Sequence, residues 1–218
     1  GLVGRAPDGR LALRFFTEPL THADGYTRDT VALALVAPDQ AGSVDTLLLM
    51  PGFEGVKRVQ NDGGWVMLGL PFAYRYFLLS WGDGFLSAFQ DRYQLQRLGY
   101  DGKPRLSVRL RDAPLRPVTA AMRERWLDSV QAAERRRPPS RAPDDGTRFP
   151  TPGEQMDALP RDRTLPAFGD VRVDARNRLW VEDYVPSWTS ADSLASHWTV
   201  FDERGRAVAR ACLPRRLT

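Results

Sequence analysis

Thiol and imidazole chemistry are nearly missing from this chain: Cys212 is its single cysteine, and His22 and His197 are its two histidines. One thiol can form neither an internal disulfide framework nor a thiolate metal cluster. Cys212 stands in a strand-like run, residues 207–213, and is expected there as a small buried hydrophobe. The histidines are too far apart in sequence for a local metal motif, and neither has HExxH-type spacing. Lysine is almost as scarce. Only Lys57 and Lys103 break an all-arginine set of basic residues, which are interleaved with 27 acids for a formal charge of +4. Scattered arginine is a poor nucleic-acid footprint, so nucleic acid is not expected as a partner. The one locally basic stretch, residues 105–141, carries ten arginines against Asp112, Glu124, Asp128 and Glu134. No apolar run approaches the ~20 residues of a membrane-spanning helix, and no charged-then-apolar leader opens the chain. It begins at Gly1 on strand-like residues, which suggests a missing upstream part.

What is present is a repeated β pattern. The segments VALALVAPDQAGSVDTLLLM, YQLQRLGYDGKPRLSVRL and HWTVFDERGRAVARACL each place a polar turn led by Asp39, Asp101 or Asp202 between two apolar runs. Ahead of each lies an earlier hairpin, turning at Asp8-Gly9, Asp83-Gly84 and residues 174–177; Gly accepts positive φ freely and Asp tolerates it. Leu11, Leu13 and Phe15 alternate with a period of two, the strand signature. Residues 31–36 look dry on both faces, as suits an inner strand. A four-stranded sheet cannot bury both its faces alone, so such units stack on one another. Trp81, Trp180 and Trp198 are expected in the core. The pattern predicts an all-β fold, a β-propeller of four-stranded antiparallel blades at about 1–57, 58–112 and 166–218. Residues 17–30 and 52–69 read as polar and Gly-rich connections.

One insertion interrupts the pattern at 113–165. Thr119 is a candidate N-cap for a helix over 120–137, with Met122, Trp126, Val130 and Ala133 on one stripe, and Pro138-Pro139 stops it. The Pro-, Gly- and charge-rich stretch 140–166 reads as a surface loop.

The order of these pieces resembles bacterial six-bladed β-propeller proteins of the NHL-like and TolB-like kind. The resemblance rests on PFAYRYFLLSWGDGFLSAFQDRYQLQRLGYDGKPRLSVRL, then RPVT opening the helical insertion, then LPAFGDVRVDARNRLWVEDYV and WTVFDERGRAVARACLP. It implies no catalytic residue, and it favours a periplasmic or secreted location. Six blades of about 40–45 residues exceed this length. The remaining blades would come from the rest of a longer chain or from a second copy.

Propellers bind through loops on one face of the disc, which here predicts His22, Asp24, Tyr26, Arg75, Asp91, Arg92, Tyr184, Trp188 and His197 as candidate ligand or partner residues. The absence of a nucleophile elbow, metal triad or phosphate loop favours a non-catalytic binding module for a protein, peptide or glycan, needing no cofactor. The alternative is a hydrolase of lactonase or glycosidase type, with Asp24, Asp62 and Asp91 as candidate acids and Ca²⁺ or paired carboxylates at the disc centre. A third reading docks the arginine-bearing helix on an anionic partner, with the helix packing on the propeller as the simpler role.

Overall fold

The computed structural model describes residues 1–16, 24–37, 44–110, 115–136, 147–186, 188 and 195–213. They form three antiparallel sheets, each a meander of strands consecutive in sequence. The first holds β1 (Leu2–Arg5), β2 (Leu11–Phe16), β3 (Gly25–Val36), β4 (Val44–Val59) and β5 (Trp65–Gly69). The second holds β6 (Tyr76–Trp81), β7 (Gly84–Phe89), β8 (Gln94–Leu98) and β9 (Pro104–Arg109), and the third β10 (Val171–Val173), β11 (Leu179–Glu182), β12 (Ser196–Phe201) and β13 (Ala207–Leu213). Between the second and third lie α1 (Ala120–Arg136) and α2 (Pro152–Asp157). No helix among the described residues is long and apolar enough to cross a membrane.

The turns repeat at atomic detail. At Ala6, Gln60, Gly99, Asp174 and Asp202 the backbone N–H donates to the carbonyl four residues on, and the carbonyl of the same residue accepts the N–H of the residue three on. That third residue is Gly9, Gly63, Gly102, Asn177 or Gly205, and every one has positive φ. This is the turn-plus-bulge closure of a hairpin, and an aspartate completes each one by accepting a nearby backbone N–H. The β6–β7 hairpin is tighter. Trp81 pairs with Gly84, so the turn residues are Gly82 and Asp83 rather than Asp83 and Gly84. Positive φ falls at Gly82.

The second sheet lies between the other two, and strand alternation divides its side chains. Phe77, Trp81, Leu86 and Ala88 join Val171, Leu179, Val181 and Phe201 of the third sheet around Phe168. Leu78 and Phe85 point the other way, into Ala12, Leu33, Leu35 and Met50 of the first sheet. Full burial of each such large side chain contributes on the order of 1.5–3 kcal/mol. The Trp81 indole N–H also donates to the Asn177 carbonyl at 2.9 Å, tying the second sheet to a turn of the third. The first strand β6 touches both β1 and β10, the first strands of its neighbours.

Several expectations need correction. The first sheet has five strands and runs to Gly69, well past residue 57, and residues 25–30 are strand rather than loop. The Gly-rich stretch 52–69 is the end of β4, a turn at Asp62-Gly63, and β5. Its glycines mark close approach, since a Cβ on Gly55 would sit 2.6 Å from the Leu68 carbonyl oxygen and one on Gly52 2.8 Å from Val31. β3 and β4 therefore project beyond the second sheet, and the first sheet curls into a half-barrel.

The insertion caps that projection. α1 ends at Arg136 and begins at Thr119, whose hydroxyl accepts the Met122 N–H at 3.3 Å. Met122 and Trp126 pack against a third core of Val56, Leu70, Phe72, Val118, Met156 and Leu165. Stretch 140–166 is not simply loop: α2 carries a full capping box between Thr151 and Glu154. Cys212 is exposed, contrary to its expected burial, because β13 is the edge strand of its sheet among the described residues, flanked there by β12 alone. Trp81 and Trp198 are buried as expected, whereas Trp180 is half-buried with its N–H on Asp174 at 3.0 Å. Asp39 and Pro138-Pro139 lie outside the described residues.

Candidate functional site

Where β3 and β4 project past the second sheet, the chain buries a charge. The Glu54 side chain is fully shielded from solvent. Its Oε1 accepts from the Tyr26 hydroxyl at 2.8 Å, from the Arg28 guanidinium at 2.8 Å and from Arg163, and its Oε2 accepts the Tyr74 backbone N–H at 3.0 Å. Strand geometry explains the first two contacts: Arg28 lies opposite Glu54 in the β3–β4 register, and Tyr26 is two residues away on the same face. Arg163 comes from the insertion and stacks over the Tyr74 ring at 4.2 Å, while the Tyr74 hydroxyl meets Thr164 Oγ1 at 2.6 Å. Burial pushes the Glu54 carboxyl up, but the bonds from Arg163 and Tyr26 and the charges of Arg163 and Arg28 outweigh it, and the net shift is downward. Glu54 thus stays ionised with both oxygens engaged.

Beside this cluster a cavity of about 410 Å³ opens between the first sheet and the start of β6. Phe15, Phe53, Tyr74 and Tyr76 supply aromatic wall, Arg14 supplies charge, Arg75 borders the cavity with its guanidinium over Phe77, and Glu54 lies against the lining. The volume falls in the range of small-ligand pockets, which are mostly apolar with a few placed polar groups. Burial pushes the Tyr76 hydroxyl up to about 12, and it pairs with the Ser87 hydroxyl. Tyr76 is therefore a neutral wall.

Of the nine residues singled out from sequence, Arg75 lines this cavity and Tyr26 meets it through Glu54. Asp24 accepts the Val59 N–H at 2.7 Å and closes the far end of the β3–β4 ribbon. Asp91 and Arg92 pair with each other at 2.8 Å in the link from β7 to β8. Tyr184 and Trp188 pack on the third core, Trp188 edge-on to Phe72 at 5.3 Å. His197 is a strand residue of β12 opposite Cys212, on a separate cavity of about 160 Å³ with Asp183 and Arg210. His22 lies outside the described residues. Asp62, a candidate acid, serves its own turn by accepting the Gly64 N–H at 2.8 Å. Among the described residues no three His, Cys, Asp or Glu side chains gather as a metal site would require.

The sequence reading missed Glu54, Arg28, Arg163, Tyr74, Phe53 and Arg14. A signal existed for Glu54, a carboxylate inside the strand-like run MPGFEGVKRV. None existed for Arg163, which is 109 positions from its partner. No family model, curated protein or solved structure matches this chain.

Proposed function

We propose that this chain is a non-catalytic binding module on a β-propeller scaffold, of the bacterial kind it resembles, and that its ligand occupies the cleft beside Glu54. The observation that carries this reading is the state of that carboxylate. A general acid or base must have an oxygen available to the reacting group, and Glu54 commits both of its oxygens to protein donors. What the cleft offers instead is shape, aromatic surface and cations, which suit recognition. Support for the radial scaffold comes from the stacking order of the sheets. Their first strands β1, β6 and β10 are neighbours, as blades about a common axis require, and the middle sheet is covered on both faces.

The test is a small-molecule screen by thermal shift on the purified protein. Hits that raise the melting temperature of the wild type and lose that effect in Phe53→Ala, with an unchanged circular dichroism spectrum, fit the proposal. Turnover of any hit, or hits indifferent to Phe53, would count against it.

A further inference from the structure

We infer that the cleft selects a small organic anion, a carboxylate or phosphate monoester on a flat apolar body, with Arg14 as the group that recognises its head. This deepens the reading of the cleft as a ligand site and rests on it.

The charge balance comes first. Among the described residues lining the cavity Glu54 is the one acid, and it is already opposed by two guanidinium groups, Arg28 and Arg163. That buried trio is net positive before the lining arginines are counted. A cation entering the cleft would meet no free carboxylate. A neutral ligand would leave the Arg14 guanidinium without an ionic partner among the described residues.

The arginines around the cavity differ in where their guanidiniums lie. Arg163 is 5% exposed and locked between Glu54 and the Tyr74 ring, so it belongs to the framework. Arg75 borders the cavity, but its guanidinium rests over the Phe77 ring at 4.8 Å and reaches Asp170 at 3.4 Å, on the third-sheet side of β6 and away from Tyr76. Arg14 is exposed at the cavity wall and forms no ion pair among the described residues. Planar guanidinium forks match carboxylate and phosphate oxygens in pairs, which an ammonium cannot do.

Phe15 and Phe53, which line the cavity with Arg14, remain 38% and 48% exposed. Their rings border the cavity together with Tyr74 and the buried, neutral Tyr76. Such aromatic walls favour a flat apolar ligand, which would displace the water that the exposed rings otherwise contact.

The probes are naphthalene-2-carboxylate, 2-naphthyl phosphate, the neutral 2-naphthamide and the cationic 2-naphthylmethylamine, titrated calorimetrically into the wild type. The carboxylate or the phosphate should bind at least about tenfold more tightly than the amide, as a charged-group hydrogen bond implies, and the amine should be weakest. The stronger of the two anions identifies the head group. Arg14→Gln should erase the preference for anion over amide, whereas Arg92→Gln, an equal charge loss in the β7–β8 link, should leave it intact. Equal binding of acid and amide, or an Arg14→Gln variant that keeps the preference, would overturn the assignment. Amide binding that disappears in Phe53→Ala would keep the cleft as a ligand site while ending its anion selectivity. Failure of every probe to show Phe53-dependent binding would end both.

Discussion

The turns and the Glu54 cluster use the same chemical pair, carboxylate and guanidinium, to opposite ends. Asp8 with Arg10, Asp101 with Arg105 and Asp202 with Arg206 all sit in solvent-facing hairpin turns. There the carboxylate's main task is local, accepting backbone N–H groups of its own turn, and the ion pair is a screened addition. Glu54 is buried, and its partners come from strand β3, from the segment before β6 and from beyond α2. One arrangement shapes two residues of backbone. The other pins the half-barrel to the insertion, and it does so at a site where an unpaired charge would be severely destabilising.

The comparison can be broken most sharply at the buried end. Glu54→Ala leaves Arg163 and Arg28 facing each other without their anion, and should cost about 3–5 kcal/mol in urea unfolding. A loss below about 1 kcal/mol would mean that the cluster is solvated and contributes no more than a surface pair.

Backbone strain gives the next effect. Gly205 holds φ +74°, and a Cβ there would approach Val108 to 2.8 Å. Gly205→Ala should cost roughly 1–2 kcal/mol, well above Gly1→Ala, where nothing stands within 4 Å. Equal effects at the two positions would remove the turn's claim to need glycine.

Acid titration separates the same two classes. The Glu54 carboxyl is held below its ordinary value of 4.5 in the folded protein, so the unfolded chain takes up its proton first as pH falls. The stability it contributes is complete above about pH 4.5 and is lost as pH drops through the lower folded value. Unfolding free energy should fall on that acid limb in the wild type, and less steeply in Glu54→Gln. Identical slopes would contradict the assignment.

The smallest change is expected in a turn. Asp8→Asn keeps an acceptor for the Arg10 N–H and gives up only the exposed ion pair. Its unfolding midpoint should match the wild type, whereas a large loss would show that turn charge matters more than turn shape.

Much of the fold was legible because its instructions are local. The Asp-Gly turns and the two-residue alternation of LALRFF or YFLLSW specify hairpins within a few residues, and the second and third sheets follow that reading closely. Thr119 and the Met122–Trp126 stripe marked α1 in the same way. The first sheet was misread past residue 50 because glycine has two meanings. Gly52 and Gly55 looked like a flexible connection, but they permit close backbone contact inside a strand. QNDGG between VKRV and WVMLG carried the same hairpin signal as Asp8-Gly9 and could have been read.

The candidate site was far less legible. Loop position on a disc was the guide, and it found Arg75 and, indirectly, Tyr26. Asp91, Arg92, Tyr184 and Trp188 satisfied the same rule but spend their side chains on each other or on packing.

By itself the sequence determined the strands, their turns and the helical insertion, because hydrophobic alternation, positive φ and capping act over a handful of bonds. Which carboxylate would be buried, which arginines would neutralise it and which would be left facing a cavity was decided only in three dimensions. Burial and Coulomb attraction depend on distances through space, and Glu54 and Arg163 become neighbours only once the half-barrel and the insertion have closed on each other.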